Sequence, residues 1–394
     1  MPRQSQPTFD VAVVGGGIIG LAVAWRAQRH GLRTLLLERD AQIAQGATHA
    51  AAGMLAPVSE ANAAERELLA LGLESAARYP DFVAELAESS ALDPGFLRCG
   101  TLVVARDRDE AEALDRERAV RAQLGLEVER LLPSAARRRE PGLAPTLRLA
   151  LDVPDDHAVD PRALALALGA GLRAAGGELR TGAAVERIDT TAGGARVGGV
   201  TLAGGERVAA GNVVVAAGAW TQQLAGLPDE VRVPVRPVKG QILRLRDPAG
   251  PGLFTRVLRM DPGYLVPRGD GRYVLGATME ERGYDTDVTA GGVFELLRDA
   301  SELVPGISEL VLEELEAGLR PGTPDNAPAL GPGALDGLHW AAGHHRNGIL
   351  LAPVTADLLL ASLLGEPLGE LAAPFAPARF GAPAKTKTDK EVAA

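Results

Sequence analysis

One arginine stands in a setting that would hold its side chain still. Residues 317–326 read AGLRPGTPDN, so Arg320 follows Ala-Gly-Leu and runs directly into a Pro-Gly turn. A guanidinium held in this way can donate two parallel hydrogen bonds to a small carboxylate, which lysine does less well. A solvated strand end would explain the same residues, so the choice depends on the rest of the chain.

A glycine-rich turn near the N-terminus predicts a dinucleotide site. Gly15, Gly17 and Gly20 form G-x-G-x-x-G between the apolar strand pattern DVAVV and the helical pattern IIGLAVAWRAQRHG. These glycines allow a tight turn and close approach of a pyrophosphate, to which the helix N-terminus offers N–H donors. Glu38 falls 18 residues after Gly20, at the end of the strand pattern TLLLE. Its carboxylate can accept from ribose hydroxyls and disfavours a 2′-phosphate, which argues against NADP.

Two later segments favour FAD over NAD. Residues 212–220, NVVVAAGAW, form an apolar strand pattern that ends in small residues and resembles the second nucleotide-domain motif of flavoproteins. Residues 341–353, AAGHHRNGILLAP, predict a strand, a glycine-containing loop and a helix. The N-terminus of that helix can face the flavin and stabilise the negative charge of its reduced form. An NAD dehydrogenase needs neither segment.

The elements that must position these residues alternate between helix and strand. Apolar residues at helical spacing predict helices at residues 60–90, 107–124, 160–175 and 291–304, and PVTADLLLASLL predicts another near the C-terminus. Asp160 and Pro161 suit the cap and first position of the third helix. Residues 231–280 are rich in strand patterns, including KGQILRLR, YLVPR and YVLGATM. The order indicates two interleaved domains without a single boundary.

Composition narrows the class of protein. The chain has 394 residues, 46% of them hydrophobic, with a net charge of −10, which argues against a nucleic-acid or anionic-membrane surface. Its one cysteine, Cys99, excludes a disulfide framework and favours a reducing cytoplasm. The N-terminal MPRQSQPTFD does not have the pattern of a signal peptide, and the longest apolar stretches are too short and too interrupted to predict a membrane span.

Seven motifs together resemble one family of flavoproteins. They are VVGGGIIG, AAAGML (50–55), PVKGQ (237–241), YLVPR (264–268), LGATM (275–279), AGLRPGT (317–323) and AAGHHRNGILLAP. In this order, and spanning nearly the whole chain, they resemble the D-amino-acid-oxidase superfamily, and within it the glycine oxidases of thiamine biosynthesis. That resemblance implies an α/β fold in which a Rossmann-like FAD-binding domain is interleaved with an antiparallel-sheet substrate domain.

The resemblance also implies domain boundaries and an assembly. The FAD-binding domain would comprise residues 1–90, 152–222 and 321–378, and the substrate-binding domain residues 91–151 and 223–320. Residues 379–394 would form a flexible tail. Relatives are often homotetramers, so we expect a homo-oligomer in the cytoplasm, with no nucleic-acid or membrane partner.

The roles of individual residues follow from the same resemblance. Arg320 is similar to the arginine that grips the substrate carboxylate, Tyr264 to the tyrosine that helps hold it, Arg346 to a second polar contact and Met279 to a pocket wall. Residues implied to bind non-covalent FAD are Gly15, Gly17, Ile18, Ile19, Gly20, Glu38, Arg39, Thr48, Ala52, Gly53, Met54, Val185, Gly218, His344, His345, Arg346, Asn347, Gly348, Ile349 and Leu350.

The implied reaction is oxidation of a small amino acid. Glycine, sarcosine or a small D-amino acid would transfer hydride from Cα to FAD, and the imine would hydrolyse to a 2-oxo acid and ammonia. Dioxygen would reoxidise the flavin and yield hydrogen peroxide. Two alternatives stay open: a D-amino-acid or sarcosine dehydrogenase with another electron acceptor, and an FAD-binding or tRNA-modifying module without amine chemistry. His49 and His345 depart from the family pattern and could alter access to the flavin.

Other conspicuous residues have plainer interpretations. The segment DDHAVD is better explained by a turn and a helix cap than by a metal site, and neighbouring histidines at a strand end should point in opposite directions. Cys99 is expected to be an inert apolar residue, and the basic run at residues 130–140 to be solvated. Trp220 and Trp340 stand at strand ends and could pack near the cofactor, but core packing is the preferred interpretation. The residues weighed for metal binding are Asp155, Asp156, His157, Asp160, His344 and His345.

Overall fold

The computed structural model describes residues 9–381. Its strands are β1 (Phe9–Val14), β2 (Thr34–Leu37), β3 (Met54–Leu55), β4 (Phe96–Leu97), β5 (Thr101–Ala105), β6 (Glu129–Leu131), β7 (Leu149–Val153), β8 (His157–Val159), β9 (Glu178–Arg180), β10 (Val185–Thr190), β11 (Val197–Leu202), β12 (Arg207–Val215), β13 (Arg236–Arg246), β14 (Val257–Arg259), β15 (Tyr264–Pro267), β16 (Arg272–Gly276), β17 (Val311–Gly322), β18 (Ala329–Pro332) and β19 (Leu338–Ala342). Its helices are α1 (Ile18–Arg29), α2 (Ala47–Ala50), α3 (Arg66–Ser90), α4 (Arg108–Gln123), α5 (Pro133–Arg139), α6 (Pro161–Ala174), α7 (Ala290–Leu303) and α8 (Ala352–Leu364).

The first sheet is built around parallel strands. β1 pairs in parallel with β2 and β12, β2 with β9, and β12 with β19, while β10, β11 and β18 add antiparallel pairs. The apolar residues of β1 and β2 are buried because helices cover the sheet, as the continuous patterns DVAVV and TLLL predict. Helices α1, α6 and α8 pack together over it, with the fully buried Trp25 in their core.

The second sheet has eight strands in the order β17-β13-β16-β15-β14-β5-β7-β6. Its pairs are antiparallel except for β14 and β5, which run in parallel. The predicted antiparallel sheet is therefore correct except at this pair, where the chain joins strands that are distant in sequence. Helix α7 covers one face and buries Leu296 and Leu303 against the sheet.

The two sheets draw their strands from alternating parts of the chain. The first takes residues 9–37, 178–215 and 329–342, and the second takes residues 101–153 and 236–322. A short third sheet, in the order β3-β8-β4, lies between them in sequence. This arrangement confirms the predicted α/β class with interleaved units. The exact domain boundaries stay a prediction, and the predicted tail lies outside the described residues except for 379–381.

One predicted helix begins later than expected. The helix assigned to residues 60–90 starts at Arg66, because the buried carboxylate of Asp156 accepts from the N–H groups of Val58 (3.1 Å) and Ser59 (2.6 Å) and holds that segment as a turn. The other predicted helices agree with the structure to within about a residue. Asp160 caps α6 as predicted, since its side chain accepts from the first-turn N–H groups.

A candidate active site between the two sheets

One large cavity runs between the sheets and contains nearly all of the predicted site residues. Its volume is about 650 Å³. Of the residues that sequence reasoning assigned to substrate or cofactor, every one lines the cavity except Gly20. Residues from strands, turns and helix termini of both sheets therefore meet at one place, although they are spread from Gly15 to Leu350 in sequence.

The glycine turn at one end leaves room only for backbone. A Cβ atom on Gly15 would lie 2.4 Å from the Ala216 carbonyl oxygen, and one on Gly20 would lie 1.9 Å from the Gly15 oxygen. Gly20 therefore packs helix α1 against the turn and does not face the cavity. At the start of α1, the Thr48 hydroxyl accepts from the Ile18 N–H at 3.0 Å. The remaining first-turn N–H groups make this a typical anion-binding end of a helix.

Glu38 lies where a ribose acceptor is expected, and its carboxylate is held by main-chain donors. Gly16 N–H donates to one oxygen at 2.6 Å and Asp40 N–H to the other at 2.9 Å. Beside it, the Arg39 guanidinium lies 3.7 Å from the centre of the Trp220 ring, and both side chains line the cavity. Core packing, the role preferred for both tryptophans, is therefore wrong for Trp220, whereas Trp340 is 1% exposed and lies in the core.

The 49–54 loop forms one wall of the cavity. Gly53 has a φ of +81°, and a Cβ there would lie 1.9 Å from the Val159 carbonyl oxygen, so this tight turn requires glycine. Gly318 on β17 lets the loop lie directly on the strand, since a Cβ on it would be 2.5 Å from the Ala50 Cβ. Within residues 9–381 the N–H groups of Ala52 and Gly53 have no acceptor, although both residues are buried and line the cavity.

Arg320 lies on β17 with its guanidinium in the cavity. Nη1 donates to the carbonyl oxygens of Thr278 (3.1 Å) and Lys239 (3.3 Å), which fixes the orientation of the fork. No carboxylate in the described part of the chain forms an ion pair with it. Gly240 on β13 makes room for the group, because a Cβ there would lie 2.2 Å from Nη1. A half-buried guanidinium without a counter-ion can bind an anion.

Tyr264 faces the same part of the cavity. Burial raises the pKa of its phenol, and the nearby Arg320 charge offsets part of that rise, so the hydroxyl stays protonated at neutral pH and can donate a hydrogen bond. Glycine is required opposite it, since a Cβ on Gly276 would lie 2.7 Å from the Tyr264 hydroxyl oxygen. Met279 lines the cavity nearby and is 61% exposed, which puts it at the mouth of the cavity.

Two neighbouring histidines in the 343–348 turn have separate environments. His344 Nε2 is 3.0 Å from the Thr355 hydroxyl on α8, and burial lowers the pKa of its imidazole to about 3. His345 has a φ of +48° and donates its main-chain N–H to the Pro321 oxygen at 2.8 Å. Burial, followed by the charge of Arg320, lowers the pKa of His345 to about 4, so both rings are neutral at pH 7.

An acidic residue that sequence reasoning missed lies between two arginines of the cavity. Glu60 Oε2 is 3.8 Å from Arg346 Nε, and Oε1 is 3.8 Å from Arg259 Nε. All three side chains line the cavity. Arg346 therefore lines the cavity as predicted, but it forms an ion pair with Glu60. The segment PVSEAN around Glu60 has no periodicity or motif that would have identified it, and Arg259 ends a short strand without any distinctive neighbour.

The residues weighed for a metal site in DDHAVD act separately. Asp156 holds the turn at Val58 and Ser59, Asp160 caps α6, and burial lowers the pKa of His157. Asp155 is exposed.

His49, which departs from the family pattern, does not line the cavity. Its Nε2 lies 3.5 Å from Glu316 Oε2, and the donor atoms of His49, Glu314 and Glu316 lie within 4.8 Å of one another. The guanidiniums of Arg162 and Arg244 already pair with both carboxylates, so we describe the group as an ion-pair cluster.

The basic run at residues 130–140 is more structured than predicted. Arg130 pairs with Asp115, and Arg139 pairs with Asp152 and Glu129. Cys99 is partly buried and packs against the same apolar cluster as Tyr264, and burial raises the pKa of its thiol. No helix within residues 9–381 combines the length and the apolar character needed to cross a membrane.

The cavity fits an extended dinucleotide such as FAD. A Cβ atom at the glycine turn would clash with the main chain, and among residues 9–381 two loop N–H groups have no acceptor and the Arg320 guanidinium has no carboxylate partner. The residues that the family resemblance assigns to the pyrophosphate, the ribose and the ring system line this one cavity, apart from Gly20.

Known proteins are similar to this chain in sequence and in fold. The FAD dependent oxidoreductase family (DAO) matches residues 10–362. A bifunctional protein ThiO/ThiG of Synechocystis sp. is 38% identical over 382 residues, covering 95% of this chain and 54% of that protein. A glycine oxidase of Geobacillus kaustophilus is 35% identical over 367 residues, covering 90% of this chain and 93% of that protein. The crystal structure of glycine oxidase from Geobacillus kaustophilus has a TM-score of 0.87 at 34% identity, covering 94% of this chain and 98% of that chain. This chain spans about half the length of the bifunctional relatives that it matches.

Proposed function

Because this chain belongs to the FAD dependent oxidoreductase family (DAO), we propose that it oxidises glycine and other small amino acids with dioxygen as the electron acceptor. The resemblance to this family, inferred from seven motifs, and the FAD cofactor are confirmed by the family match. The net reaction would convert glycine, dioxygen and water into glyoxylate, ammonia and hydrogen peroxide. When bound, FAD supplies the two-electron acceptor for this oxidation and returns the electrons to dioxygen.

The Arg320 guanidinium is the single observation that carries the choice of substrate. It lies in the cavity, its direction is set by the carbonyl oxygens of Thr278 and Lys239, and it has no carboxylate partner among the described residues. An amino-acid carboxylate supplies the missing charge and matches the planar fork. Binding the carboxylate there orients Cα without requiring any side chain to act as a strong base.

Two neighbours of Arg320 would support that binding. Tyr264 keeps its proton at neutral pH, since burial raises its pKa, and its hydroxyl can therefore donate to the same carboxylate. His345 is neutral, with a pKa lowered to about 4, so it adds no positive charge that would repel the substrate amine. Together these groups favour an amino acid that enters with its carboxylate toward β17.

Similarity to the ThiO/ThiG proteins and to glycine oxidases supports a role in forming the thiazole of thiamine. The preference among glycine, sarcosine and small D-amino acids belongs to this proposal, as do a homotetrameric assembly and a cytoplasmic location. These last two stay predictions from the family resemblance.

Oxygen consumption and peroxide release with each amino acid would test the proposal. We expect glycine to support both, with one glyoxylate and one ammonia formed per peroxide. Reduction of an artificial dye without oxygen consumption would contradict the oxidase assignment and favour the dehydrogenase alternative. No turnover with glycine, sarcosine, D-alanine or D-proline would contradict the proposed substrate class.

A further inference from the structure

The main chain of the 49–54 loop is held from behind by arginines. Arg268 Nη2 donates to the Ala52 carbonyl oxygen at 2.8 Å, and Arg244 Nη2 donates to the His49 carbonyl oxygen at 2.6 Å. Arg162 Nε also donates to the His49 oxygen, at 3.3 Å. These carbonyl groups point away from the cavity into the second sheet and α6.

Arg268 differs from Arg162 and Arg244 in having few other hydrogen-bond and ion-pair partners among the described residues. Its side chain is 5% exposed, and within the described chain its Nε and Nη1 atoms have no hydrogen-bond partner. The nearest acid is Asp160, with Oδ2 3.7 Å from Nε, beyond hydrogen-bond range. Arg162 and Arg244, by contrast, both pair with Glu314 and Glu316.

The charge on Arg268 is therefore only partly compensated. Asp160 already accepts two N–H groups at the start of α6, so its negative charge is shared with the helix terminus. Burial lowers the pKa of Arg268 to about 10, which still leaves the guanidinium charged at neutral pH. Burying an incompletely paired charge makes the free energy of folding less favourable, and residues with such a charge are often found at functional sites.

We propose that Arg268 is a positioning residue of the flavin site. It holds the Ala52 carbonyl so that the N–H of the same peptide group, that of Gly53, faces the cavity, and its buried charge stabilises the negative charge that FAD gains on reduction. This inference rests on the proposed function, with the flavin ring beside Ala52, Gly53 and Met54 as the family resemblance implies. It does not depend on which amino acid is the substrate.

The two-electron midpoint potential of the bound FAD tests this proposal. It is measured by stepwise reduction with a chemical reductant and a reference dye, without any amino acid. For Arg268→Met we expect the ratio of reduced to oxidised flavin at a fixed poise to fall about tenfold, which corresponds to about 30 mV lower potential. Arg268→Lys, which keeps the charge, should recover most of this loss.

Asp160→Asn provides an independent test if Arg268→Met does not fold. Asparagine caps a helix about as well as aspartate, so α6 should be preserved. Removing the acid leaves the Arg268 charge less compensated, and the potential should therefore rise, opposite to the effect of Arg268→Met. Arg379→Met is the matched control, since Arg379 also donates to a main-chain carbonyl, that of Ala327, but does not line the cavity. It should leave the potential unchanged.

Either of two results would overturn the proposal. One is an Arg268→Met protein that binds FAD at the parent's potential, and the other is an Asp160→Asn protein whose potential does not rise. Because no substrate is present, a protein that fails to oxidise glycine could still give the expected shifts. Failure of this inference and failure of the proposed function are therefore distinguishable.

Discussion

At the scale of single residues, the unusual sequence setting of Arg320 has a physical explanation. Arg320 stands between apolar and turn residues because its side chain must be rigid and must lie in a cavity, and two carbonyl oxygens complete its orientation. Gly240 and Gly318 are small because a guanidinium and a loop, respectively, occupy the space above them. Each of these residues is explained by what it faces across the sheet.

Replacing Arg320 should weaken substrate use more than it weakens folding. For Arg320→Ala we expect a loss of about 2–4 kcal/mol of transition-state binding, or roughly 30- to 900-fold in kcat/KM for glycine, mostly through KM. Arg320→Lys should recover only part of this, since an ammonium lacks the planar fork.

The control for Arg320 is Arg246→Ala on β13. Arg246 is exposed, pairs with Glu313 and does not line the cavity. It should leave the kinetic constants near those of the parent. An unchanged KM for glycine in Arg320→Ala would contradict the assignment of the carboxylate site.

Gly240→Ala tests the same site without removing the arginine. The new methyl group would lie 2.2 Å from Nη1 and 2.4 Å from Nη2 of Arg320, so the guanidinium must move. We expect kcat/KM for glycine to fall at least tenfold, while the protein still binds FAD. Gly291→Ala in α7 is a matched control, since its Cβ meets no atom within 4 Å. It should keep activity and gain a few tenths to about 1 kcal/mol in stability. Equal activity in the two variants would contradict the packing described.

Part of the site at this scale could be predicted from local chemistry. The glycine turn and Glu38 lie in a motif whose residue types follow from what they must contact, whereas the roles of Arg320 and Tyr264 were predicted from the family resemblance. Glu60 could not be predicted, because its place in the cavity depends on a turn held by Asp156, nearly 100 residues away. Contacts of that range leave no periodic pattern in the sequence.

At the scale of elements, His339 connects its own strand, β19, with helix α8 and strand β12. Its Nδ1 is 2.8 Å from the Ser362 hydroxyl on α8, and its Nε2 is 3.3 Å from Asn212 Oδ1 on β12. The Asn212 amide donates to the Asp10 oxygen on β1, which turns Oδ1 toward the ring, so Nε2 carries the proton. Burial lowers the pKa of His339 to about 4, and the neutral ring is therefore part of the folded structure.

This arrangement predicts a pH-dependent contribution to stability. The pKa of His339 in the folded protein, about 4, lies below its ordinary value of 6.5, so the unfolded chain binds the proton first. The stabilisation is complete above pH 6.5 and is lost as the pH falls toward 4. The difference in unfolding free energy between parent and His339→Gln should shrink by about 2 kcal/mol from pH 7 to pH 5.

Urea unfolding of both proteins at the two pH values measures this difference. The matched control is His30→Gln, because His30 is exposed at the end of α1. That variant measures the pH dependence contributed by an exposed histidine, against which the change for His339→Gln is compared. A pH-independent difference for His339→Gln would mean that its ring is not held neutral in the fold.

The elements themselves were more predictable at their centres than at their ends. Buried strands such as β1 and capped helices such as α6 appear where their patterns indicate, because burial and capping act within a few residues. The start of α3 was predicted at residue 60, because residues 60–65 have helical composition. The turn before them is held by Asp156 and by the Arg121 guanidinium, which donates to the carbonyl oxygens of Val58 and Ser59. Tertiary hydrogen bonds outweigh local propensity there.

At the scale of the whole molecule, interleaving explains how distant segments form one site. Residues from the first sheet line one part of the cavity wall, and residues from β13, β15 and β17 of the second sheet line another. The alternation of strand and helix patterns was enough to predict two interleaved units. It could not predict that β5 joins β14 in parallel, because sheet order depends on which edges are free after the rest has packed.

Anaerobic mixing of the purified yellow protein with glycine tests the central claim most directly. Sarcosine, D-alanine and D-proline serve as comparison substrates, and the visible absorbance of the bound flavin is followed over time. If the proposed function is correct, glycine bleaches the flavin fastest, and admitting air restores the colour with release of peroxide. If glycine leaves the flavin oxidised, or if only bulkier D-amino acids reduce it, glycine is not the substrate and the link to thiamine is contradicted.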